Sequence, residues 1–257
     1  LRDQENKYTP ITKVYRKHLA LVVGVLYNLG MDVTVIMPVY NERDTIHEIL
    51  KRVRQVPVVS EIVIIDDGST DGSRDILKEL DGEDRVRVLI HENNSGKGAA
   101  VRTGIQNATG DVIIIQDADL EYDPNDYPLL LKPIEEGRSQ VVYGSRFLEN
   151  VAPEFLFWSK VGNKTLTFIT NLLYNQRLTD METCYKAFKR ELMDDIPLRS
   201  RRFELEPEIT SKFLKRGIKI LEVPIHYDPR GFSEGKKIGI MDAAEAIWTL
   251  IRYRFTD

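Results

Sequence analysis

Residues 111–124 read DVIIIQDADLEYDP, and this stretch decides the fold. The β-branched run at 112–115 is apolar on both faces and too short for a helix of ordinary length, which predicts a strand buried inside a parallel sheet. Acid follows at once. Asp117, Asp119 and Glu121 stand at alternate positions. In an extended segment such residues project to one side, so the three carboxylates are expected to converge just beyond the strand's carboxyl end. Open α/β sheets bind ligands at that edge. Like charges so close call for a cation between them, and carboxylate oxygens suit hard Mg²⁺ or Mn²⁺ that also holds substrate phosphates. The plainer alternative is a solvated acidic turn before a helix, with Asp123 as N-cap and Pro124 at the first helical position.

Outward from this stretch the pattern alternates. Strands are predicted at 33–39, 61–66, 85–91, 112–116 and 140–144, and helices at 42–54, 70–80, 96–108 and 124–136. This is the signature of an α/β fold with a doubly wound, mostly parallel sheet. The polar turns PVYNE (38–42) and DDGSTDGS (66–73) fall at the carboxyl ends of the first two strands, the edge where Asp117 and Asp119 emerge. Two phosphate-binding loops are excluded. A Walker loop needs glycine where His91 stands and Ser or Thr where Gly98 stands. A dinucleotide fold needs G-x-G-x-x-G after the first strand, and PVYNE holds no glycine. A nucleotide is therefore expected to be bound through side-chain acids and a metal.

Composition sets the frame. The 257 residues, 42% of them hydrophobic, allow one large α/β domain or two small ones with a substantial core. A net charge of -4 gives no polybasic field for nucleic acid. The single cysteine, Cys184, rules out an internal disulfide and a multi-cysteine zinc site. Near the N-terminus, Lys13, Arg16 and Lys17 precede the apolar run LALVVGVLY (19–27). That run is too short to span a bilayer and lacks a small-x-small cleavage site, so a packed or interfacial helix is expected. Residues 155–175 and 242–255 mix aromatic residues with Lys or Arg, a composition that suits either core packing or a membrane interface.

In order and spacing, PVYNE, DDGSTDGS, SGKGAAVRTG and DADLE resemble the family 2 glycosyltransferases of GT-A fold. GSRF (144–147), TDMETCYKAF (179–188) and the basic loop PRGFSEGKK (229–237) look like the dolichyl-phosphate mannose synthase and polyprenyl-phosphate glycosyltransferase branch. The resemblance covers roughly residues 33–255. The Q-x-x-R-W motif of processive synthases is absent, as Phe157 and Ile247 precede Trp158 and Trp248. So is the G-x-G-T-R loop of sugar nucleotidyltransferases.

The resemblance implies inverting transfer of a hexose from a nucleotide sugar, GDP-mannose or a UDP-hexose, to a polyprenyl or dolichyl phosphate. It implies a peripheral location on the cytoplasmic face of a membrane and a Mg²⁺ or Mn²⁺ cofactor. Residues 1–31 would be an extension, 32–146 the nucleotide-sugar half of a 32–257 domain, and 147–257 its acceptor and membrane-facing half. Pro38, Tyr40 and Glu42 would line the base and ribose, Asp66 or Asp67 would accept from the base, and Lys97 and Ala118 would lie near the nucleotide. Asp117 and Asp119 would bind the metal, joined by Glu121. Arg230 and Lys236 would close on the donor diphosphate, while Arg146, with Lys160, would hold the incoming phosphate. Asp180 or Glu182 would position the acceptor, or Asp180 would order the turn before a strand at 183–188. An acceptor phosphate is already ionised near neutral pH, so attack needs no strong general base. The alternatives are a non-catalytic nucleotide-sugar-binding or lipid-docking module, and a family 2 transferase with a non-lipid acceptor.

Overall fold

The computed structural model describes residues 30–148, 157–229 and 240–256. Residues 1–29 of the extension with its run at 19–27, and Arg230 and Lys236, lie outside the described residues. The first three strands, β1 (Val33–Val39), β2 (Val59–Asp67) and β3 (Val86–His91), are joined by helices α1 (Ile46–Arg54) and α2 (Ser73–Leu80). Helix α3 (Lys97–Asn107) leads to β4 (Val112–Ile115), and a short 3-10 turn with α4 (Tyr127–Glu135) leads to β5 (Val141–Ser145). Then come α5 (Phe157–Tyr174), β6 (Lys186–Lys189), α6 (Leu205–Lys215), β7 (Ile220–Pro224) and α7 (Ile240–Phe255).

Among the described residues, seven strands form one sheet in the order β3-β2-β1-β4-β6-β5-β7. Every pairing is parallel except those of β6, which runs antiparallel between β4 and β5. The sheet therefore continues without a break across residue 146. From β1 the chain winds outward to β3, then returns to place β4 on the other side of β1. This reversal opens a crevice at the carboxyl ends of β1 and β4, where such sheets take their ligands.

The strand expected at 112–116 is found as Val112–Ile115, with all four residues buried. Each such side chain contributes about 1.5–3 kcal/mol of burial. Helix α1 begins at Ile46 rather than 42, after a turn at 43–45 in which the Thr45 and Ile46 N–H groups close on the Glu42 carbonyl. Helix α2 begins at Ser73 rather than 70, where the Asp71 carboxylate takes both the Ser73 N–H and hydroxyl. The strand expected at 183–188 is confined to its end, since 181–185 form a turn instead.

Helices α5 and α7 pack through a second apolar cluster of Leu166, Met181, Ala246 and Leu250. Their outer surfaces stay apolar. Phe168 and Leu172 on α5 are 67% and 73% exposed, and Trp248 and Phe255 on α7 are 63% and 77% exposed. Among the described residues, no helix is long and apolar enough to cross a membrane.

Candidate active site

The DAD turn is aimed by a buried amide. Gln116 accepts hydrogen bonds from the Tyr127 and Tyr185 hydroxyls, each at 2.7 Å, and donates to the Asp117 carbonyl at 2.9 Å. Beyond it the chain turns, with Leu120 at φ 65, so the alternation of an extended segment does not carry through. Asp117 meets the Lys97 ammonium at 2.9 Å, Asp119 accepts from the Glu121 N–H at 3.2 Å, and Glu121 accepts from the Tyr227 hydroxyl at 2.8 Å. Among the described residues no group of three or more His, Cys, Asp or Glu is arranged to hold a metal ion. The expected convergence of three carboxylates is thus corrected, and Tyr227 is the partner that holds Glu121. Asp117 and Asp119 still fit a cation that needs one or two carboxylates and completes its shell with substrate phosphates. The ammonium against Asp117 shows that positive charge is held there.

The turns PVYNE and DDGSTDGS are knitted together. Asn41 receives the Thr70 N–H on its side chain at 2.8 Å and gives its own N–H to Ser69 at 3.1 Å. The Glu42 N–H donates to Ser73 at 2.9 Å, and the Glu42 carboxylate accepts from Thr45 at 2.8 Å. Asp66 is buried and takes Arg74 at 2.6 Å and the Ser69 N–H at 3.1 Å. Asp67 receives the N–H groups of Ser95 and Gly96 at 2.9 and 2.7 Å, together with His91 at 2.8 Å. Both carboxylates hold loops at the edge where one of them was expected to accept from the base. Pro38 is half-buried, Ala118 is buried, and Tyr40 presents the exposed ring at this edge.

Lys97 heads α3 and is clamped from outside. A Cβ at Gly96, whose φ is 94, would collide with the Arg201 carbonyl oxygen, which accepts the Ala99 N–H at 3.0 Å. The SGKG stretch is therefore a docking point for residues 200–202, which lead into α6. On α6, Glu206 lies 3.4 Å from Lys97 and 2.6 Å from the buried Lys186. Burial works against the charge on Lys97, but Asp117 and Glu206 hold its pKa well above the usual lysine value.

Beyond β5 a second network is sealed inside. Arg146 grips Asp180 in a fork at 2.7 and 2.8 Å, and its N–H adds a third bond at 3.0 Å. Asn163 donates to the same carboxylate at 2.9 Å. Burial alone would raise the Asp180 pKa, but Arg146 overrides it and holds the carboxyl below its ordinary value. Glu222 on β7 accepts the N–H groups of Thr179 and Asp180 at 2.7 and 2.9 Å. Of the two roles expected for Asp180, this geometry matches the ordering of the turn. Lys160 lies partly exposed in the first turn of α5.

Glu206, Lys186, Asn163, Tyr227 and Glu222 were not anticipated. Only Glu206 had a signal, the acidic run FELEPE (203–208) where a helix starts. The others act across long separations that leave no local pattern.

Comparison with known proteins agrees with this architecture. Glucosyl-3-phosphoglycerate synthase from Mycobacterium tuberculosis, solved with UDP, superposes with TM-score 0.69 at 21% identity, covering 91% of this chain and 85% of that one. The same enzyme with Mn²⁺, UDP and phosphoglyceric acid gives 0.69 at 20% identity, covering 91% and 83%. The fold is thus that of the GT-A glycosyltransferases. The profile of Glycosyl transferase family 2 matches residues 34–196, and the chain belongs to that family. Glycosyltransferase AglJ of Haloferax volcanii is 32% identical over 199 residues, 77% of this chain and 63% of its own length. Dolichol-phosphate mannosyltransferase of Pyrococcus furiosus is 29% identical over 230 residues, 87% of this chain and 64% of its own length. The chain thus spans less than two thirds of these relatives.

Proposed function

We propose that the protein is an inverting glycosyltransferase that moves a hexose from a nucleotide sugar to a polyprenyl phosphate at a membrane surface. The donor would lie in the crevice between β1 and β4, against Pro38, Tyr40, Glu42, Lys97 and Ala118. A divalent cation, Mg²⁺ or Mn²⁺, held by Asp117 and Asp119 would supply positive charge for the donor diphosphate. Arg230 and Lys236 follow Asp228, whose N–H donates to the Glu121 carbonyl at 2.9 Å. In this reading they neutralise the departing nucleoside diphosphate, a charge that grows in the transition state. Arg146, fixed by Asp180, gives the acceptor side a positive group that needs no reorganisation. The acceptor phosphate displaces the leaving group directly, and the anomeric centre inverts.

The observation that carries the lipid assignment is the exposed apolar surface of the adjacent helices α5 and α7. Phe168 and Leu172 are one helical turn apart, and Trp248 and Phe255 two turns apart, with Lys164, Arg252 and Arg254 on the same helices. Aromatic and basic residues together suit anionic lipid headgroups. The relative named for dolichol phosphate supports the same acceptor. Incubation with labelled GDP-mannose, UDP-glucose and UDP-GlcNAc, with polyprenyl phosphate in one arm and phosphoglyceric acid in the other, tests it. Metal-dependent transfer to the lipid phosphate is expected. Transfer to phosphoglyceric acid alone, or to neither, overturns it.

A further inference from the structure

Where the SGKG stretch meets residues 200–202, a cleft of about 460 Å³ opens beside α3, and none of the residues placed on the donor, the metal or the acceptor lines it. Its walls are polar and basic. Arg102 and Thr103 come from α3, Arg201 and Arg202 from the segment before α6, and His91 from the end of β3. No carboxylate lines the cleft. The acids next to it are engaged elsewhere: Asp67 takes His91 and the N–H groups of Ser95 and Gly96, and Glu204 takes those of Arg201 and Arg202. Arg102 is steadied by a carbonyl instead, its Nη1 donating to Arg199 at 3.1 Å, while its Nε is buried with no partner among the described residues. A guanidinium held by a carbonyl keeps its full charge. Three cations around one cleft with no counter-charge in its walls repel one another, and an anion relieves that repulsion.

We propose that this cleft is a second anion site, separate from the donor crevice, that takes a small polyphosphate of the pyrophosphate class. One phosphate group carries about −1.5 to −2 charge at neutral pH, too little to match three arginines. Two linked groups present enough oxygens to engage all three guanidinium forks. Nothing in the walls is suited to read a base, since His91 supplies the aromatic ring there and both of its nitrogens are engaged, by Asp67 and Thr103. The ligand is therefore recognised by charge. Binding has a structural consequence. Arg102 belongs to α3, and Arg201 and Arg202 to the loop clamped on α3 through the Ala99 N–H, so a bridging anion staples the two together. Lys97 heads that helix and Glu206 follows that loop, so the staple steadies their contact at the donor edge.

The test is calorimetric titration of inorganic pyrophosphate, without metal, into the full chain, into Arg201→Gln with Arg202→Gln, and into Arg230→Ala with Lys236→Ala. Arg201 and Arg202 are exposed, so their replacement should leave the melting temperature unchanged. Pyrophosphate affinity should fall about tenfold or more in the first variant and stay within about twofold in the second, and orthophosphate should bind the wild type about tenfold more weakly. Retained affinity in the first variant, loss in the second, equal affinity for the two anions, or absence of binding overturns the proposal. Amide exchange gives a reading that needs no variant. Pyrophosphate should slow exchange in residues 96–103 and 198–205 of the wild type. Protection confined to 38–42 and 117–121, or none, places no anion in this cleft and overturns it. None of these readings requires turnover. A chain that binds pyrophosphate here yet transfers no sugar keeps the site and sinks only the proposed reaction, and transfer without this binding does the reverse.

Discussion

The donor edge and the region beyond β5 both use carboxylates to position chain, yet they do so over different distances and depths. At the edge, Lys97 and Asp117 form an ion pair with a fifth of each side chain exposed, and the neighbouring turns bind backbone groups close at hand. Beyond β5, Arg146 and Asp180 are buried, and Glu222 reaches Thr179 from another strand. A partly exposed pair can exchange its partner for a ligand ion at less cost to the fold, and here Glu206 stays 3.4 Å from Lys97. A sealed pair cannot, because losing one member strands a charge in the interior.

That contrast is open to direct attack, and the largest effect should come from the sealed pair. Asp180→Ala removes the fork that holds the buried Arg146 and should cost about 3–5 kcal/mol in urea denaturation. Asp117→Ala, at the edge, should cost less, about 1.5–3 kcal/mol, because Glu206 stays beside Lys97. Equal losses would erase the distinction. For catalysis the ranking reverses at the neighbouring carboxylate. Asp119→Ala should lower sugar transfer on the order of 100–1,000-fold while the melting temperature holds, with EDTA reproducing the loss in the wild type. Full turnover in EDTA would remove the metal from the reaction.

The outer surface of the second half offers a smaller effect. Phe168→Ser with Leu172→Ser and Trp248→Ser should abolish flotation with anionic vesicles and leave nucleotide binding intact, since all three side chains are more than 60% exposed. The wild type should partly detach as salt screens the basic residues. A folded variant that still floats would move the membrane contact elsewhere.

The finest test sets two acids of one turn against each other. The folded pKa of Asp180 is depressed, so its stabilising contribution is present at neutral pH and lost as pH falls. The folded pKa of Glu182 is raised from 4.5 to about 7, so its contribution is present in acid and lost as pH rises through that value. The melting temperature of Glu182→Gln relative to wild type should therefore be higher at pH 8 than at pH 5. The same difference at both pH values would mean that Glu182 does not titrate in the fold.

Much of the first half was legible because its determinants are local. Val112 to Ile115 announce a buried strand by composition, and Asp-Gly-Ser turns announce strand ends by their chemistry. The parallel sheet and the edge holding Asp117 and Asp119 follow from those signals alone. What was misread was conformation after the strand. A left-handed Leu120 cannot be seen in DADLE, and it redirects Glu121 to Tyr227. Asp66 and Asp67 could be named as acids at a strand end, but their partners Arg74, His91 and the N–H groups of 95–96 come from other elements and leave no local pattern. The network around Arg146 was half visible. Arg146 and Asp180 could be named, but their pairing depends on β5 and β6 lying side by side.

The antiparallel strand β6 has a consequence for how the chain must be made. Val112, Ile113 and Ile114 of β4 find their partners in Lys189, Phe188 and Ala187, far later in the sequence. While the ribosome is still synthesising the intervening chain, one side of β4 is an open, wholly apolar edge in the middle of the future sheet. Such edges recruit strands from other molecules. A nascent chain stalled before residue 186 should accordingly be a client for chaperones. Release of β6 from the exit tunnel would be the moment at which the protein becomes safe from its own copies.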